Sequence, residues 1–271
     1  DDPYEPLKSK VDDFVVEQID ALGLEGIRHV DETFRFYPEQ DLGAHILGFL
    51  GIRDDIKTGL YGIEGFFNDI LSGSQGQVSA EKDSRGRFIT IGDKSFVQAE
   101  DGSDIVLTID RALQSQVCAI LEEDREKYGA KTGAVIIMQP DTGAILAMCS
   151  SPSFNPNTYN EVEDVSVYNN TAIFGAYEPG SIFKPITMGA ALDLGLVTPE
   201  TTYVDEGEVK IDRFTIRNSD HEAHGVQTMT DVLDKSLNLG TIWVANKLGT
   251  KNFRKYVESF GFGERTGIEL D

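Results

Sequence analysis

Metal-ligand spacing is missing from this sequence. His221 and His224 stand close together in His221-Glu222-Ala223-His224, but the zincin spacing is absent and no third ligand accompanies them, so a polar loop is expected there. Cysteine is scarce. Cys118 and Cys149 are the 2 in the chain, too few for a disulfide framework. One falls in a helical pattern and the other in a strand pattern, so two buried free thiols are expected, not a bridge. No apolar run approaches the roughly 20 residues that span a bilayer, and no charged n-region with a cleavage site opens the chain. Positive charge is in the minority, 24 Lys and Arg against 46 Asp and Glu, for a net charge of -22. Such a surface repels phosphate backbones and argues against nucleic acid or an anionic membrane as partner. By itself it signals a soluble, self-repelling surface and names no substrate. Internal repeats and low-complexity tracts are absent.

What is present is a globular composition. At 271 residues and 40% apolar, the chain has length for one large domain or two and for a sizeable core. Val11, Val15, Ile19 and Leu22 recur at helical spacing up to Gly23. Phe34 and Phe36 alternate with Arg35 and Tyr37, a strand pattern closed by Pro38. A short helix around Ala44 to Phe49, a Gly-rich turn and a second helical stretch from Ile63 to Leu71 follow. Asp83-Ser84-Arg85-Gly86-Arg87 reads as a hairpin tip. Residues 1–98 show no nucleophile–base pair and read as a small α+β pedestal.

The acidic stretch Gln98 to Asp104, with Gly102, is the expected boundary, so that 99–271 form a second domain. Ile105 to Ile109 is a strand candidate. Asp110 caps a helix with Leu113, Val117, Ile120 and Leu121 on one face. Gly133 to Met138 and Ala144 to Met148 are apolar strands joined by Gln139-Pro140-Asp141-Thr142-Gly143, a hairpin. The class is therefore α+β, with an antiparallel sheet packed on helices.

The stretch that organises the chain is Tyr177-Glu178-Pro179-Gly180-Ser181-Ile182-Phe183-Lys184-Pro185. An apolar run follows through Ile186, Met188, Ala190, Ala191, Leu192 and Leu194, the pattern of a buried helix. Lys184 lies one turn after Ser181 on the same face. A lysine in an apolar pocket can be neutral enough to take a serine's proton. Pro185 cannot donate to the Ser181 carbonyl, so a loose or tightly wound first turn is expected. Taken alone, the tetrad is better explained as an N-cap serine with a solvated lysine, and Ser79-Ala80-Glu81-Lys82 repeats it in hairpin-type sequence, where the two side chains point to opposite faces. A second polar element, Asp234-Lys235-Ser236-Leu237-Asn238-Leu239-Gly240, sits between the helical patterns Met229 to Lys235 and Thr241 to Leu248, the latter ended by Gly249. Ser236 and Asn238 could relay a proton and hold a peptide group there, or simply cap a helix. Ser153-Phe154-Asn155 is a decoy of the same form in a Pro-rich loop.

Ser181-x-x-Lys184 followed by Ser236-x-Asn238 resembles the penicillin-recognising serine transpeptidases. The wider match is more specific. Gly143-Ala144-Ile145-Leu146-Ala147-Met148, Ser151-Pro152-Ser153-Phe154-Asn155-Pro156-Asn157, Tyr177 to Ser181, Phe260-Gly261-Phe262-Gly263 and Thr266-Gly267-Ile268 are similar to the class B, monofunctional penicillin-binding proteins. So are Arg35-Phe36-Tyr37-Pro38, His45 to Gly48, Gly62-Ile63-Glu64-Gly65 and Leu71-Ser72-Gly73 in the pedestal, where the resemblance implies that Arg35 and Glu64 hold the module together. It further implies a penicillin-binding/β-lactamase-like transpeptidase domain that cross-links peptidoglycan stem peptides and is acylated by β-lactams, without cofactor or metal. Ser181 would be the nucleophile, Lys184 the base, Ser236 the proton relay and Asn238 a substrate-binding amide. A β-lactamase, a D,D-carboxypeptidase and a non-catalytic penicillin-binding sensor or scaffold are the alternatives. No Lys-Thr-Gly strand follows Ser236-x-Asn238 in the sequence, where the family carries it, and the family's membrane anchor helix is not seen. The expectation is an interior piece of a longer protein, poorly soluble and inactive by itself, from the extracytoplasmic side of a bacterial membrane. Wall-synthesis proteins such as a glycosyltransferase are its implied partners. The opening Asp2-Pro3-Tyr4-Glu5-Pro6-Leu7 leans toward the division type over the elongation type.

Overall fold

The computed structural model describes residues 5–54, 56–74, 76–80 and 94–270. Internal packing divides the chain into two units, one that runs to Gly175 and takes in Glu269, the other Ala176–Ile268. In the first, α1 (Asp13–Ala21) forms where the helical spacing predicts it, and buries none of its residues. Next come α2 (Ala44–Leu47), an antiparallel hairpin of β1 (Phe49–Arg53) and β2 (Ile56–Leu60), then α3 (Gly62–Phe66) and α4 (Asn68–Ser72). That hairpin replaces the expected Gly-rich turn. Its glycines serve packing: a Cβ on Gly59 would lie 1.8 Å from the Glu64 carbonyl oxygen, so only a bare backbone fits beneath α3. β3 (Gln77–Ala80) pairs antiparallel with β4 (Lys94–Val97). Ser79 therefore lies on a strand, whereas Glu81, Lys82 and the hairpin tip expected at Asp83 to Arg87 lie outside the described residues.

The strand expected at Phe34 to Pro38 does not form. Nor does burial alternate, since Phe34, Arg35 and Phe36 are all exposed and Tyr37 is buried; the partners of the segment are side chains. The Asn157 amide accepts from the Tyr37 N–H at 3.0 Å and donates to its carbonyl at 2.8 Å, doing what a neighbouring strand would do. Arg35 grips the Glu64 carboxylate through Nε at 2.7 Å, and the Tyr37 hydroxyl donates to the same group at 3.2 Å. This is the pair that the resemblance implied. Beneath it lies an aromatic cluster: Phe49 stacks on Tyr159 at 4.4 Å and meets Tyr168 edge-on at 4.9 Å.

The same substitution of side chain for strand recurs around α5 (Arg111–Tyr128), which Asp110 caps by accepting from the Leu113 N–H at 2.8 Å. The hairpin that follows, β5 (Gly133–Met138) with β6 (Ile145–Ser151), is antiparallel as expected. Ile105 to Ile109, however, is not a strand. Only the Asp110 N–H, to Leu146 O at 2.9 Å, and the Thr108 hydroxyl, to Ile145 O at 2.6 Å, reach β6 from this segment. Further along, buried Gln114 of α5 accepts from the Met148 N–H at 2.8 Å and donates to its carbonyl at 2.7 Å. Cys118, one turn on from Gln114, then faces Cys149, the residue after Met148. The two are disulfide-bonded with Cα atoms 5.4 Å apart, so the expectation of free thiols is wrong. Local pattern placed each cysteine in its element, but their meeting depends on how helix and strand pack. α6 (Thr171–Phe174) closes the unit.

The second unit opens with a 3₁₀ turn, Gly180–Phe183, that runs into α7 (Lys184–Asp193). β7 (Thr202–Asp205), the hairpin β8 (Glu208–Ile211) and β9 (Phe214–Arg217), β10 (Gly225–Thr228), α8 (Met229–Asp234) and α9 (Asn238–Ser259) follow, with β10 antiparallel to β7. α7 is buried on one face only, through Lys184, Thr187, Met188, Ala190 and Ala191, while Leu192 and Leu194 stay exposed; its all-round apolar sequence overstated its burial. The core joins Met188 and Ala191 to Tyr203, Met229, Val232, Leu237, Leu239, Val244 and Leu248. Gly249 breaks α9 with φ 68° and a second helical stretch continues beyond it. His221 and His224 lie in a loop, where the His224 ring meets Asp220 at 2.9 Å. No helix among the described residues is long and apolar enough to cross a membrane.

Gln114→Leu keeps the volume of this side chain but strands the Met148 N–H and carbonyl. It should lower the stability of the unit by about 1–3 kcal/mol, read by urea unfolding with the disulfide intact. An unchanged midpoint would show that the amide–backbone pair contributes nothing.

Candidate active site

Gly180 has φ 60°, a conformation that costs glycine nothing and lets the chain turn sharply into the 3₁₀ segment. Pro185 has no N–H, so the Ser181 carbonyl cannot be answered by residue i+4. The Lys184 N–H donates to it instead. An i+3 bond of this kind eclipses the side chains of residues i and i+3, so Ser181 and Lys184 stack on one face. The tightly wound first turn expected from Pro185 is what forms. Ser181 is exposed; Lys184 is 9% exposed.

The Lys184 amine reaches across to the α8–α9 junction. It donates to the Ser236 carbonyl at 2.6 Å, to Asn238 Oδ1 at 2.7 Å and to the Ser236 hydroxyl at 3.1 Å. All three protons of an ammonium are thus placed, yet all three acceptors are neutral groups. Burial pushes the amine below the ordinary lysine value. In the neutral state, an amine keeps two donors and gains a lone pair. The carbonyl and amide oxygens then retain their hydrogen bonds, and the Ser236 hydroxyl can turn its own proton toward nitrogen. Ser236 is suited to carry a proton in either direction.

The α8–α9 junction explains why these groups point at the lysine. Ser236 N–H donates to Leu233 O at 3.1 Å and Leu237 N–H to Val232 O at 2.9 Å, the paired bonds of a Schellman cap at the end of α8. The apolar contact of such a cap is made by Leu237 and Val232, both fully buried in the core. A cap of this kind needs a left-handed residue, usually glycine, and here it is Ser236 at φ 53°. The left-handed turn swings the Ser236 carbonyl toward Lys184, and only a residue with a side chain adds the hydroxyl. Asn238 begins α9; its Nδ2 donates to Arg217 O at 2.8 Å, which turns Oδ1 to the amine.

The structure thus brings Lys184, Ser236 and Asn238 into direct contact, with Ser181 one 3₁₀ turn away. The decoy Ser153 donates to Asp41 O at 3.2 Å, in the first unit. Two buried polar residues at the junction, Asp205 and Asn218, were not singled out from the sequence. Asn218 lies in Arg217-Asn218-Ser219-Asp220, which reads as ordinary polar loop, and no local pattern separates it from its neighbours.

Residues 133–271 match the family described as the penicillin binding protein transpeptidase domain, and residues 3–107 match the penicillin-binding protein dimerisation domain. Stage V sporulation protein D of Bacillus subtilis (strain 168) is 34% identical over 267 residues, which are 98% of this chain and 41% of that protein. Peptidoglycan D,D-transpeptidase FtsI of Escherichia coli (strain K12) is 30% identical over 264 residues, 97% of this chain and 43% of the relative. Among solved structures, penicillin binding protein 3 from Mycobacterium tuberculosis complexed with ampicillin is similar with a TM-score of 0.71 at 27% identity, covering 88% of this chain and 48% of the other. A peptidoglycan synthetase from Bifidobacterium adolescentis ATCC 15703 gives a TM-score of 0.73 at 26% identity, covering 96% and 47%. The chain spans less than half the length of each of these relatives.

A non-glycine residue at a left-handed cap costs on the order of 1 kcal/mol. Ser236→Gly should therefore be more stable than Ser236→Ala by about that amount, by thermal unfolding, although both variants lack the hydroxyl. Equal stabilities would mean that the cap is not left-handed.

Proposed function

Since the chain belongs to the penicillin-binding transpeptidase family, we propose that it carries the nucleophilic half of a serine D,D-transpeptidase site acting on peptidoglycan stem peptides. The observation that carries this reading is the Lys184 amine, below its ordinary value by burial and held at 2.6–3.1 Å by Ser236 and Asn238, one eclipsed turn from an exposed serine. In the proposed reaction Ser181 Oγ bonds to the carbonyl carbon between the two terminal D-alanines as its proton passes to Lys184 Nζ. The C–N bond to the last D-alanine then breaks, and the leaving nitrogen takes that proton through the Ser236 hydroxyl. Asn238 orients the peptide by its amide. The amine of a neighbouring stem attacks the ester carbon, and Ser181 leaves with its proton restored. A β-lactam presents its strained amide in place of the D-Ala-D-Ala carbonyl and acylates the same oxygen.

The division into a non-catalytic pedestal, 1–98, and the start of the transpeptidase domain, 99–271, belongs to this proposal, as do wall-synthesis proteins such as a glycosyltransferase as partners. The matched ranges 3–107 and 133–271 support that division. A site of action outside the cytoplasmic membrane is supported by the Cys118–Cys149 disulfide, since such bonds persist in oxidising compartments.

In the full-length protein a fluorescent penicillin should attach covalently to Ser181, and Ser181→Ala should remove the label. Lys184→Arg should slow acylation by about 100-fold or more, because a guanidinium is not deprotonated in this range. Only the neutral amine accepts a proton, so the wild-type rate should rise with pH through the folded-state pKa of Lys184, in a limb below the ordinary lysine value. Labelling at Ser79 or Ser153, or an Arg variant that reacts at the wild-type rate, overturns the assignment. Release of D-alanine without cross-linking would make the protein a hydrolase.

A further inference from the structure

α9 starts without a cap of its own. Leu237 occupies the capping position and offers no side-chain acceptor, leaving the first N–H groups of the helix to find partners elsewhere. They find Asn218, 20 residues earlier in the chain. Its Oδ1 accepts from the Asn238 N–H at 3.0 Å and from the Leu239 N–H at 3.4 Å. Asn218 is 2% exposed, as is Asp205 behind it. The Asn218 Nδ2 donates to both oxygens of the Asp205 carboxylate, at 3.1 and 2.9 Å, and to Glu222 O at 3.2 Å. Asp205 is fixed in turn by the Tyr203 hydroxyl at 2.8 Å and the Gly207 N–H at 2.9 Å.

We infer that Asn218, oriented by Asp205, is a positioning residue that sets the Ser236–Asn238 turn against Lys184. An ionised carboxylate only accepts, so Asp205 compels Asn218 to present its NH₂ group inward and its oxygen toward α9. The amide cannot flip without placing oxygen against oxygen. That orientation fixes where α9 begins, and with it two of the three acceptors of the Lys184 amine, the Asn238 side chain on the first turn and the Ser236 carbonyl just before it. Burial pushes the Asp205 carboxyl up, but the hydrogen bonds from Asn218, Gly207 and Tyr203 outweigh it and hold the group below the ordinary aspartate value, so it is charged and acceptor-only at neutral pH. Gly240 keeps the arrangement tight: a Cβ there would lie 2.3 Å from Val232 and 2.9 Å from the Tyr203 ring. Neither Asn218 nor Asp205 has a role in the chemistry proposed above, on which the kinetic part of this inference rests.

The test is an exchange of the two groups in the full-length protein. Asn218→Asp sets two carboxylates against each other, and Asp205→Asn sets amide against amide. The double variant restores one donor facing one acceptor and leaves a carboxylate oxygen toward the helix start. Each single change should lower the acylation rate constant with a fluorescent penicillin by about tenfold or more, and the double change should recover most of it, a non-additivity expected only of directly coupled groups. The loss should lie in the chemical step, not in penicillin binding. The molecules that do react should react slowly, whereas a merely structural role would lower the labelled fraction and leave its rate at the wild-type value. Asn218→Ala, which introduces no like charge, guards against a single variant that does not fold and should show the same slowing. Amide hydrogen exchange reads the turn without any chemistry: protection at Asn238 and Leu239 should fall in the single variants and return in the double. Wild-type rates in the single variants, or unchanged protection, overturn the inference. Protection that follows the expected pattern in a protein whose Ser181 never reacts upholds the positioning of α9 and overturns the transpeptidase reading instead.

Discussion

The second unit depends on one buried amine. Lys184 lies at the start of α7, and its acceptors lie 52 and 54 residues later, at 2.6 and 2.7 Å. A lysine buried without these oxygens would leave three donors unsatisfied. With them, it ties α7 to the α8–α9 junction at the edge of an apolar core. The acceptors are neutral, and that choice matters. A carboxylate in the same place would have favoured the ammonium and removed its capacity to take a proton. Burial and neutral acceptors together give an amine that is ordered and still able to act as a base.

The junction accepts a local cost to make this possible. Ser236 takes the left-handed position of a helix cap, where glycine would be relaxed. The surrounding core over-determines that conformation, because Leu237 and Val232 are fully buried on either side of it. Strain at a polar residue beside a buried amine, held by apolar packing, is how a fold keeps a side chain in a geometry that its own backbone preference opposes.

Carboxamide side chains recur where backbone ladders are lacking. Asn157 pairs with Tyr37, Gln114 with Met148 and Asn218 with the start of α9, each supplying acceptor or donor where a strand or a cap residue would otherwise stand. An amide carries both a donor and an acceptor with fixed spacing, so it can complete a main-chain partner without extending a sheet.

The sequence by itself determined the elements whose causes are local. Asp110 caps α5, Gly133–Met138 and Ile145–Ser151 form a hairpin about a Pro-Asp-Thr-Gly turn, and Pro185 forces the tight turn that stacks Ser181 on Lys184. Helix against strand also separated Ser181-x-x-Lys184 from the repeat at Ser79, which lies in β3. Alternation at Phe34 to Tyr37 predicted a strand that does not form, since a ladder needs a neighbour that no local pattern announces. Cys118 and Cys149, Gln114 and Met148, and Asn218 and Asn238 meet only because helices and strands distant in the chain pack together. Spacing along a chain fixes which face a residue takes within its own element. Which residue it faces depends on the burial of apolar surface by the whole unit, and tertiary structure alone decided that.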